Sequence, residues 1–237
     1  MNKKIALLID SCTDVPQEYI DRYGIFVIPL MIHYSYGEFR DGIDINPQQV
    51  YDRFSEEIPT TSLPSGDSIL KTLQEIYDLG FDQVVAVTIS SGLSGTNNVL
   101  TLMAKDFGKL DCRIIDTKSI GIGAGVTAIY AAQLIQDGLD IDAIEEKLHK
   151  SVANSKIFFC VSTLEYLKKG GRIGLVSATM GNLLGILPVI SCNEEGIYYT
   201  VKKARGRQSA LKTALNLTVQ AVGNSKKYNI AIVHGNA

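Results

Sequence analysis

The chain has 237 residues, enough to bury a full hydrophobic core as one large domain or two small ones. Hydrophobic residues make up 46% of it, charged residues 20%, and the net charge is -2, so the composition argues against a disordered chain and against a nucleic-acid partner. The cysteines and histidines are scattered without metal-ligand spacing. We therefore expect reduced thiols in a cytoplasmic protein, with neither a metal nor a cofactor.

The first part of the chain predicts strands that alternate with helices. Apolar, β-branched runs predict buried strands at residues 4–10, 84–89 and 112–116. Residues 25–34 predict one more strand, in which Pro29 indicates an edge position or a bulge. Helical spacing and caps predict helices at residues 16–23, 46–57, 65–79, 97–107, 120–136 and 141–151. This alternation is typical of a parallel sheet with covering helices.

The pattern changes near residue 155. A strand at 157–161, a short helix at 164–169, a hairpin that turns at 193–196, a helix at 209–222 and a strand at 228–233 are predicted. We therefore expect an α/β fold of two domains. Residues 1–155 would form an α/β domain with a parallel sheet, and residues 156–237 an α+β domain with a mainly antiparallel sheet. The polar tip after the last strand is typical of the start of another loop, so we expect the second domain to be truncated at its C-terminus.

One uncharged stretch, residues 173–193, is long enough to be checked as a membrane span. It contains several hydroxyl, amide and glycine residues as well as Pro188, so its hydrophobicity is modest. We interpret it as deep core or as the wall of an apolar cavity, and expect at most transient contact with a membrane.

Two hydroxyl-rich segments are the candidate binding residues. Residues 90–96 read Ser-Ser-Gly-Leu-Ser-Gly-Thr and lie between a strand and the next helix. Glycines let the backbone approach a ligand there, and N–H groups at a helix start favour an anion. Residues 59–65 hold three hydroxyls between two stiffening prolines. The first segment predicts an anion or carboxylate site, although a capped turn fits it equally well, and the second segment also fits a plain linker.

The same residues leave an enzymatic alternative open. Ser94 lies on a strand-to-helix turn, as the nucleophile of a serine hydrolase would, but the second glycine of the elbow stands one position early. The candidate bases are His33, His149 and His234. A protein that binds a polar metabolite would use the same hydroxyl-lined cleft.

A small-molecule kinase is a third class of function. The sequence contains neither a phosphate-binding loop nor an acidic metal-binding cluster. Asp10, Asp14 and Asp116 follow strands, and we interpret them as caps of loops and helix starts.

Several motifs together resemble the DegV family, in the order typical of that family. They are residues 10–14, 60–65, 90–96, 116–125, 164–173 and 203–207. The resemblance covers essentially the whole chain, which is similar to the fatty-acid-binding subunits of bacterial fatty acid kinase.

This resemblance implies a two-domain carrier that holds a long-chain fatty acid in an apolar tunnel and is not itself an enzyme. A separate dihydroxyacetone-kinase-like fatty acid kinase subunit would make the acyl-phosphate. The residues expected to hold the carboxylate are Thr61, Ser62, Ser91, Ser94, Gly95 and Thr96. Arg172 is expected at the mouth of the site, for phosphoryl transfer or docking, and Lys203, Arg205 and Arg207 are further candidates for docking.

The physical chemistry of such a ligand agrees with these segments. Hydroxyl and N–H donors offset the cost of burying a carboxylate, and each buried methylene contributes roughly 0.8 kcal/mol. Residues 173–192 and 120–135 are the candidate tunnel walls, and ordinary core remains the alternative for both.

Two features depart from the family pattern. Leu63 stands where the family usually has Gln, so any contact made by that side chain is lost. Members normally continue beyond residue 237 to a G-T-H-x-G-P-G type motif, whose histidine lies at the site.

Overall fold

In a computed structural model of the chain, residues 3–179 and 185–235 are described, with backbone alone for residues 177–179. The strands are β1 Ile5–Asp10, β2 Phe26–Ile28, β3 Met31–Tyr34, β4 Gly37–Arg40, β5 Thr60–Ser62, β6 Gln83–Thr88, β7 Asp111–Asp116, β8 Phe159–Cys160, β9 Ile186–Cys192 and β10 Tyr198–Arg205. The α-helices are α1 Gln17–Tyr23, α2 Pro47–Arg53, α3 Gly66–Asp78, α4 Thr96–Phe107, α5 Ile122–Gln136, α6 Ile141–Asn154, α7 Glu165–Lys169 and α8 Arg207–Val222. Two 3-10 helices cover Ser11–Thr13 and Gly174–Thr179.

The parallel sheet has the strand order β2-β1-β6-β7 and is covered by helices on both faces. Successive side chains of β1 enter opposite layers. Leu7 and Ile9 pack in the core formed with α5 and α6, whereas Ala6 and Leu8 pack in the core formed with α3 and α4. Because both faces are buried, β1 and β6 read as continuous apolar runs, and this is why the sequence identified them.

The expectation of a single strand over residues 25–34 is wrong. Pro29 separates β2, which pairs in parallel with β1, from β3, which pairs with β4 and β5 in an antiparallel sheet. Proline has no N–H to donate to a ladder, so the chain can leave one sheet and enter another at this point. The next residue, Leu30, donates its N–H to the Ser11 hydroxyl at 3.1 Å.

The third sheet is antiparallel, with the order β10-β9-β8. Helix α8 packs on one of its faces, where Val189, Ala204 and Ala210 are buried. The α/β fold with a parallel sheet, followed by an antiparallel sheet, is therefore confirmed. The proposed domain boundary near residue 155 falls just after α6 and stays a prediction.

The predicted strand over residues 228–233 is wrong for the chain as described. These residues form an exposed coil, in which Ile232 is 90% exposed. A strand needs a neighbour that accepts and donates its backbone hydrogen bonds, and within the described residues this segment has none. The prediction rested on a short run of apolar and β-branched residues.

The uncharged stretch is part of the core where it is described. Its first part forms the 3-10 helix Gly174–Thr179, and its later part forms β9, where Val189 and Ile190 are fully buried. Residues 180–184 lie outside the described residues. Among the helices of the described ranges, none has the length and hydrophobicity needed to cross a membrane.

Candidate functional site

The loops that follow β1, β6 and β7 meet at the carboxyl edge of the parallel sheet, where two acids hold them together. The Asp10 carboxyl accepts the N–H of Cys12 at 2.9 Å and that of Ile89 at 2.7 Å. Asp116 Oδ1 accepts the N–H groups of Ser91 and Lys118, both at 3.1 Å. The interpretation of Asp10 and Asp116 as caps is confirmed.

These acids differ in their electrostatic surroundings. Burial raises the pKa of Asp10 to about 7, although the N–H groups of Ile89 and Cys12 oppose the shift. Burial and the nearby Asp41 carboxylate raise the pKa of Asp14 to about 6. Burial would also raise the pKa of Asp116, but hydrogen bonds from Lys118 and Ser91 outweigh it and lower that pKa.

Ser90 and Ser91 are engaged in bonds that shape the loop. The Ser90 hydroxyl donates to the Gly196 carbonyl at 2.9 Å and accepts the Gly92 N–H at 3.1 Å. The Ser91 hydroxyl accepts from Lys118 Nζ at 3.1 Å. Only Ser91 of these two serines was predicted to contact the ligand. Both hydroxyls already have hydrogen-bond partners within the protein.

Ser94 and Thr96, both predicted ligand contacts, are brought together by this loop. Their hydroxyl oxygens are 2.9 Å apart at the start of α4, and the Thr96 N–H reaches Ser94 Oγ at 3.3 Å. Ser94 is half-buried and Thr96 is buried. The pair is placed beside the first N–H groups of a helix, where an anion is favoured.

Leu63 brings the two hydroxyl segments together. A Cβ atom on Gly95 would lie 3.3 Å from Leu63 Cδ1, so the glycine leaves room for that side chain. Leu63, which stands in the family's usual Gln position, therefore makes an apolar contact between the segments.

Residues 60–62 are not the loop that the prolines suggested but strand β5. Thr61 pairs with Ile32 and Ser62 with Met31. Neighbouring residues of a strand point to opposite faces, so Thr61 and Ser62, both predicted to hold the carboxylate, lie on opposite faces of this sheet. Both side chains are exposed.

The sequence reasoning missed a contact between three strands. His33 Nε2 lies 2.7 Å from Ser62 Oγ, and His33 Nδ1 lies 3.2 Å from Glu38 Oε1. His33 and Glu38 are cross-strand partners in the β3–β4 hairpin. The available signal was Gly37, which is typical of a turn after Tyr34, because counting outward from a two-residue turn aligns these two residues.

Arg172 reaches the serine loop from the second half of the chain. Its Nε donates to the Leu93 carbonyl at 3.3 Å. It also lies close to Cys12, whose pKa is raised by burial and by the nearby acids and is partly lowered by this guanidinium. The structure thus brings Arg172 to the edge that carries Ser94.

Lys203 and Arg205 occupy a different position, on β10. Their cross-strand partners are Pro188 and Ile186, which share a face of β9 with Ile190. A register shift between Thr200 and Lys202 gives this placement. Both basic side chains are exposed, as is that of Arg207 at the start of α8, and no contact joins them to the serine loop in the described residues.

An apolar cluster connects the serine loop with the antiparallel sheet. Its buried members are Ile89, Leu93, Val176, Ile190, Cys192 and Tyr198. Burial raises the pKa of Cys192 to about 12 and also raises that of Tyr198. Of the two predicted tunnel walls, the first contributes Ile173, Val176, Ile190 and Cys192 to this cluster, and the second contributes Ile120. The buried residues of α5, such as Ala128 and Ala131, lie instead in the core of the parallel sheet.

The hydrolase hypothesis based on Ser94 gains no support from its surroundings. The side chain in contact with its hydroxyl is Thr96. His149 lies on α6, 3.8 Å from Glu145, and His234 lies in the exposed C-terminal coil. A search of the described ranges finds no group of three His, Cys, Asp or Glu side chains that could hold a metal.

Comparisons with known proteins agree with this architecture. The chain is 41% identical over 235 residues to a DegV domain-containing protein of Clostridium acetobutylicum, covering 99% of this chain and 84% of that protein. It is similar to a DegV family protein of Thermus thermophilus described by its fatty acid binding, with a TM-score of 0.86 and 31% identity, over 93% of this chain and 79% of that one.

A stearic acid-binding protein of Eubacterium ventriosum is similar at a TM-score of 0.85 and 28% identity, over 94% of this chain and 78% of that one. The family model described as DegV matches residues 4–237. Because the family model covers nearly the whole chain and the fold agrees with solved DegV structures, this chain belongs to the DegV family.

Proposed function

We propose that the chain binds a long-chain fatty acid, with the carboxylate at the hydroxyl segments and the tail along the apolar cluster. The observation that carries this proposal is the direct junction of the two surfaces: Leu93 belongs to the cluster, and Ser94 is the next residue. The similar proteins of T. thermophilus and E. ventriosum, described as binding fatty acid and stearic acid, support the same ligand class.

The candidate site offers a carboxylate hydrogen-bond donors and a positive charge. An unpaired buried charge is costly, and hydroxyl, N–H and guanidinium donors offset that cost. Ser94 and Thr96 provide hydroxyls at a helix start, Thr61 or Ser62 would provide another, and Arg172 adds a positive charge. Gly95 and Ser91 shape the loop around this group.

The tail end supplies apolar surface. Each methylene removed from water contributes roughly 0.8 kcal/mol, so a chain of sixteen or more carbons gains affinity from contact with the cluster and with residues 173–192. In our proposal the ligand lies between a domain of residues 1–155 and a domain of residues 156–237, because the cluster draws residues from both.

We further propose that the protein is a cytoplasmic carrier without chemistry of its own. It would present the carboxylate to a separate dihydroxyacetone-kinase-like fatty acid kinase subunit, which makes the acyl-phosphate. Arg172 would stabilise the charge that is transferred, and Lys203, Arg205 and Arg207 would offer an exposed basic surface for docking.

Native mass spectrometry, followed by lipid extraction, tests the binding proposal. We expect a fatty acid at a ratio of one to one with the protein, and at least about tenfold weaker palmitate binding in Ser94→Ala, since a hydrogen bond to a charged group contributes about 1.5–3 kcal/mol. Thr61→Ala and Ser62→Ala form a matched pair that identifies which face of β5 meets the carboxylate.

Thr101→Ala is the control, because this exposed threonine donates its hydroxyl to the Asn97 carbonyl of its own helix. A protein that is free of lipid and takes up neither palmitate nor oleate would contradict the proposal and favour a polar metabolite in the cleft. Equal losses in Thr101→Ala and Ser94→Ala would also count against it.

A further inference from the structure

Ser62, His33 and Glu38 lie next to one another across three strands, joined by one hydrogen bond and one ion-pair contact. Ser62 Oγ and His33 Nε2 are 2.7 Å apart, and His33 Nδ1 and Glu38 Oε1 are 3.2 Å apart. The His33 side chain is 27% exposed and that of Glu38 is 70% exposed. The three side chains share one face because Glu38 pairs directly with His33, and Ser62 lies two residues along β5 from Thr60, the partner of His33 on that strand.

Glu38 determines which imidazole nitrogen carries a proton. An ionised carboxylate can only accept hydrogen bonds, so the Nδ1 that faces Glu38 carries hydrogen. In a neutral imidazole, Nε2 then has no hydrogen and accepts the hydroxyl proton of Ser62. The Ser62 oxygen can offer a ligand only its lone pairs, which repel a carboxylate.

Protonation of His33 reverses this direction. Both ring nitrogens are donors in an imidazolium, so Nε2 donates to Ser62 Oγ. The serine proton is then released, and it can turn from the Leu63 carbonyl, 3.5 Å away, to the ligand. Ser62 becomes a hydrogen-bond donor to the ligand, and the imidazolium that is hydrogen-bonded to it adds a positive charge.

We propose that His33, oriented by Glu38, is a positioning residue that makes Ser62 a carboxylate donor, so that fatty acid binding takes up a proton at His33. This inference rests on the proposed fatty acid binding function and deepens it. The ligand is an ionised carboxylate between pH 6 and pH 8. It binds more tightly at the lower pH, and a rise in pH favours its release.

The other charged groups around β3 have partners of their own. Arg40 lies on the same face, and its guanidinium makes two hydrogen bonds to Asp44, of 2.8 and 2.9 Å. Glu57 accepts the N–H and the hydroxyl of Ser35 at the end of β3. On β5, the cross-strand partner of His33 is the uncharged Thr60.

Isothermal titration calorimetry of the delipidated full chain with laurate tests this coupling. Titrations at pH 7 in two buffers of different ionisation enthalpy measure proton uptake directly. Between pH 6 and pH 8 a carboxylic acid stays ionised, because its ordinary pKa is about 4, while histidine side chains ordinarily titrate. We expect proton uptake on binding, and affinity about tenfold weaker at pH 8 than at pH 6.

His33→Gln separates the proposed role from a structural one. A glutamine amide does not change its protonation state with pH, so we expect the proton uptake to disappear and the affinity to be the same at pH 6 and pH 8. His149→Gln is the matched control, because His149 also lies near a glutamate but on α6, and we expect it to behave as the parent protein does.

Each other outcome counts against the coupling in a distinct way. Laurate binding without proton uptake would overturn it and leave the carrier function intact. An equal loss of affinity at all pH values in His33→Gln would indicate a structural role and overturn it. A protein that binds laurate at no pH would overturn the proposed function and the coupling together.

Discussion

The carboxyl group of Asp10 links two loops at the carboxyl edge of the parallel sheet and is fully buried. Both of its oxygens accept backbone N–H groups, from Cys12 and Ile89. Burial nevertheless dominates, and it raises the pKa to about 7 from 3.8. The neutral acid is therefore the form that the folded protein favours, and ionisation of Asp10 weakens the fold.

The sign of the resulting pH dependence follows from proton counting. Between pH 4 and pH 7 the folded protein holds a proton at Asp10 that the unfolded chain releases, so the free energy of unfolding falls as the pH rises. One pKa unit corresponds to about 1.4 kcal/mol, so the fall attributable to Asp10 is at most about 4 kcal/mol. Asp14, with a pKa raised to about 6, adds a fall of the same sign.

We predict that Asp10→Asn flattens this profile, because an amide does not titrate. It should also lower the free energy of unfolding at pH 4 by about 1–3 kcal/mol, because the amide N–H₂ would face one of the two backbone N–H donors and leave it without an acceptor. Urea denaturation at a series of pH values measures the effect. Asp14→Asn is the comparison, and it should remove only the part of the slope between pH 4 and pH 6. A profile unchanged in Asp10→Asn would show that the carboxyl is ionised throughout.

At the scale of elements, the β9–β10 hairpin is joined to the serine loop through a glycine. Gly196 has a φ of +76°, and a Cβ atom there would lie only 1.8 Å from Ser90 Oγ. Its carbonyl accepts the Ser90 hydroxyl. The close approach of the two backbones therefore needs a residue without a side chain.

We predict that Gly196→Ala lowers the free energy of unfolding by at least about 2 kcal/mol more than Gly138→Ala. Gly138 has a φ of +77° with nothing within 4 Å of a Cβ, so it carries only the cost of a left-handed alanine, about 1–2 kcal/mol. Chemical denaturation measures both variants, and retained fatty acid should also fall in Gly196→Ala. Equal losses in the two variants would contradict the close approach.

At the scale of the whole molecule, contacts between residues 1–155 and 156–237 assemble the candidate site. Arg172 binds the Leu93 carbonyl, and the rings of Phe54 and Tyr166 stack with their centroids 5.0 Å apart. The apolar cluster lies along the same junction. The kinase partner that we propose would therefore approach a surface made from both parts.

We predict that Lys203→Glu with Arg205→Glu raises by about tenfold the carrier concentration that half-saturates the kinase subunit and leaves the maximal rate unchanged. Charges at the rim of an interface mainly affect association, and salt screens them, so the difference should shrink at high ionic strength. Arg172→Ala should instead lower the maximal rate. Acyl-phosphate formation from loaded carrier and ATP is the measurement.

Lys226→Glu with Lys227→Glu is the control, since both lysines lie in the exposed C-terminal coil. If this control pair raised the half-saturating concentration equally, the effect of Lys203 and Arg205 would reflect the net charge of the carrier and not a specific docking surface. No acyl-phosphate from the loaded parent carrier would contradict the kinase partnership itself.

The sequence by itself determined the features that depend on neighbouring residues. The runs at 84–89 and 112–116 match β6 and β7 to within one residue, because a buried parallel strand must be apolar throughout. The helix after Ser90–Thr96 and the cap made by Asp10 were also identified locally. The resemblance to the DegV family rests on short motifs, which are local as well.

Only the tertiary structure decided which strands pair and in what register. Residues 25–34 look like one strand until Pro29 is seen between two sheets. Residues 228–233 are apolar like a strand, but they pair with no strand among the described residues. The separation of Thr61 from Ser62, and the contact of Ser62 with His33, depend on the pairing of β3 with β5. Strand pairing joins residues far apart in the chain, and a shift of one residue reverses every side chain, so local pattern cannot specify it.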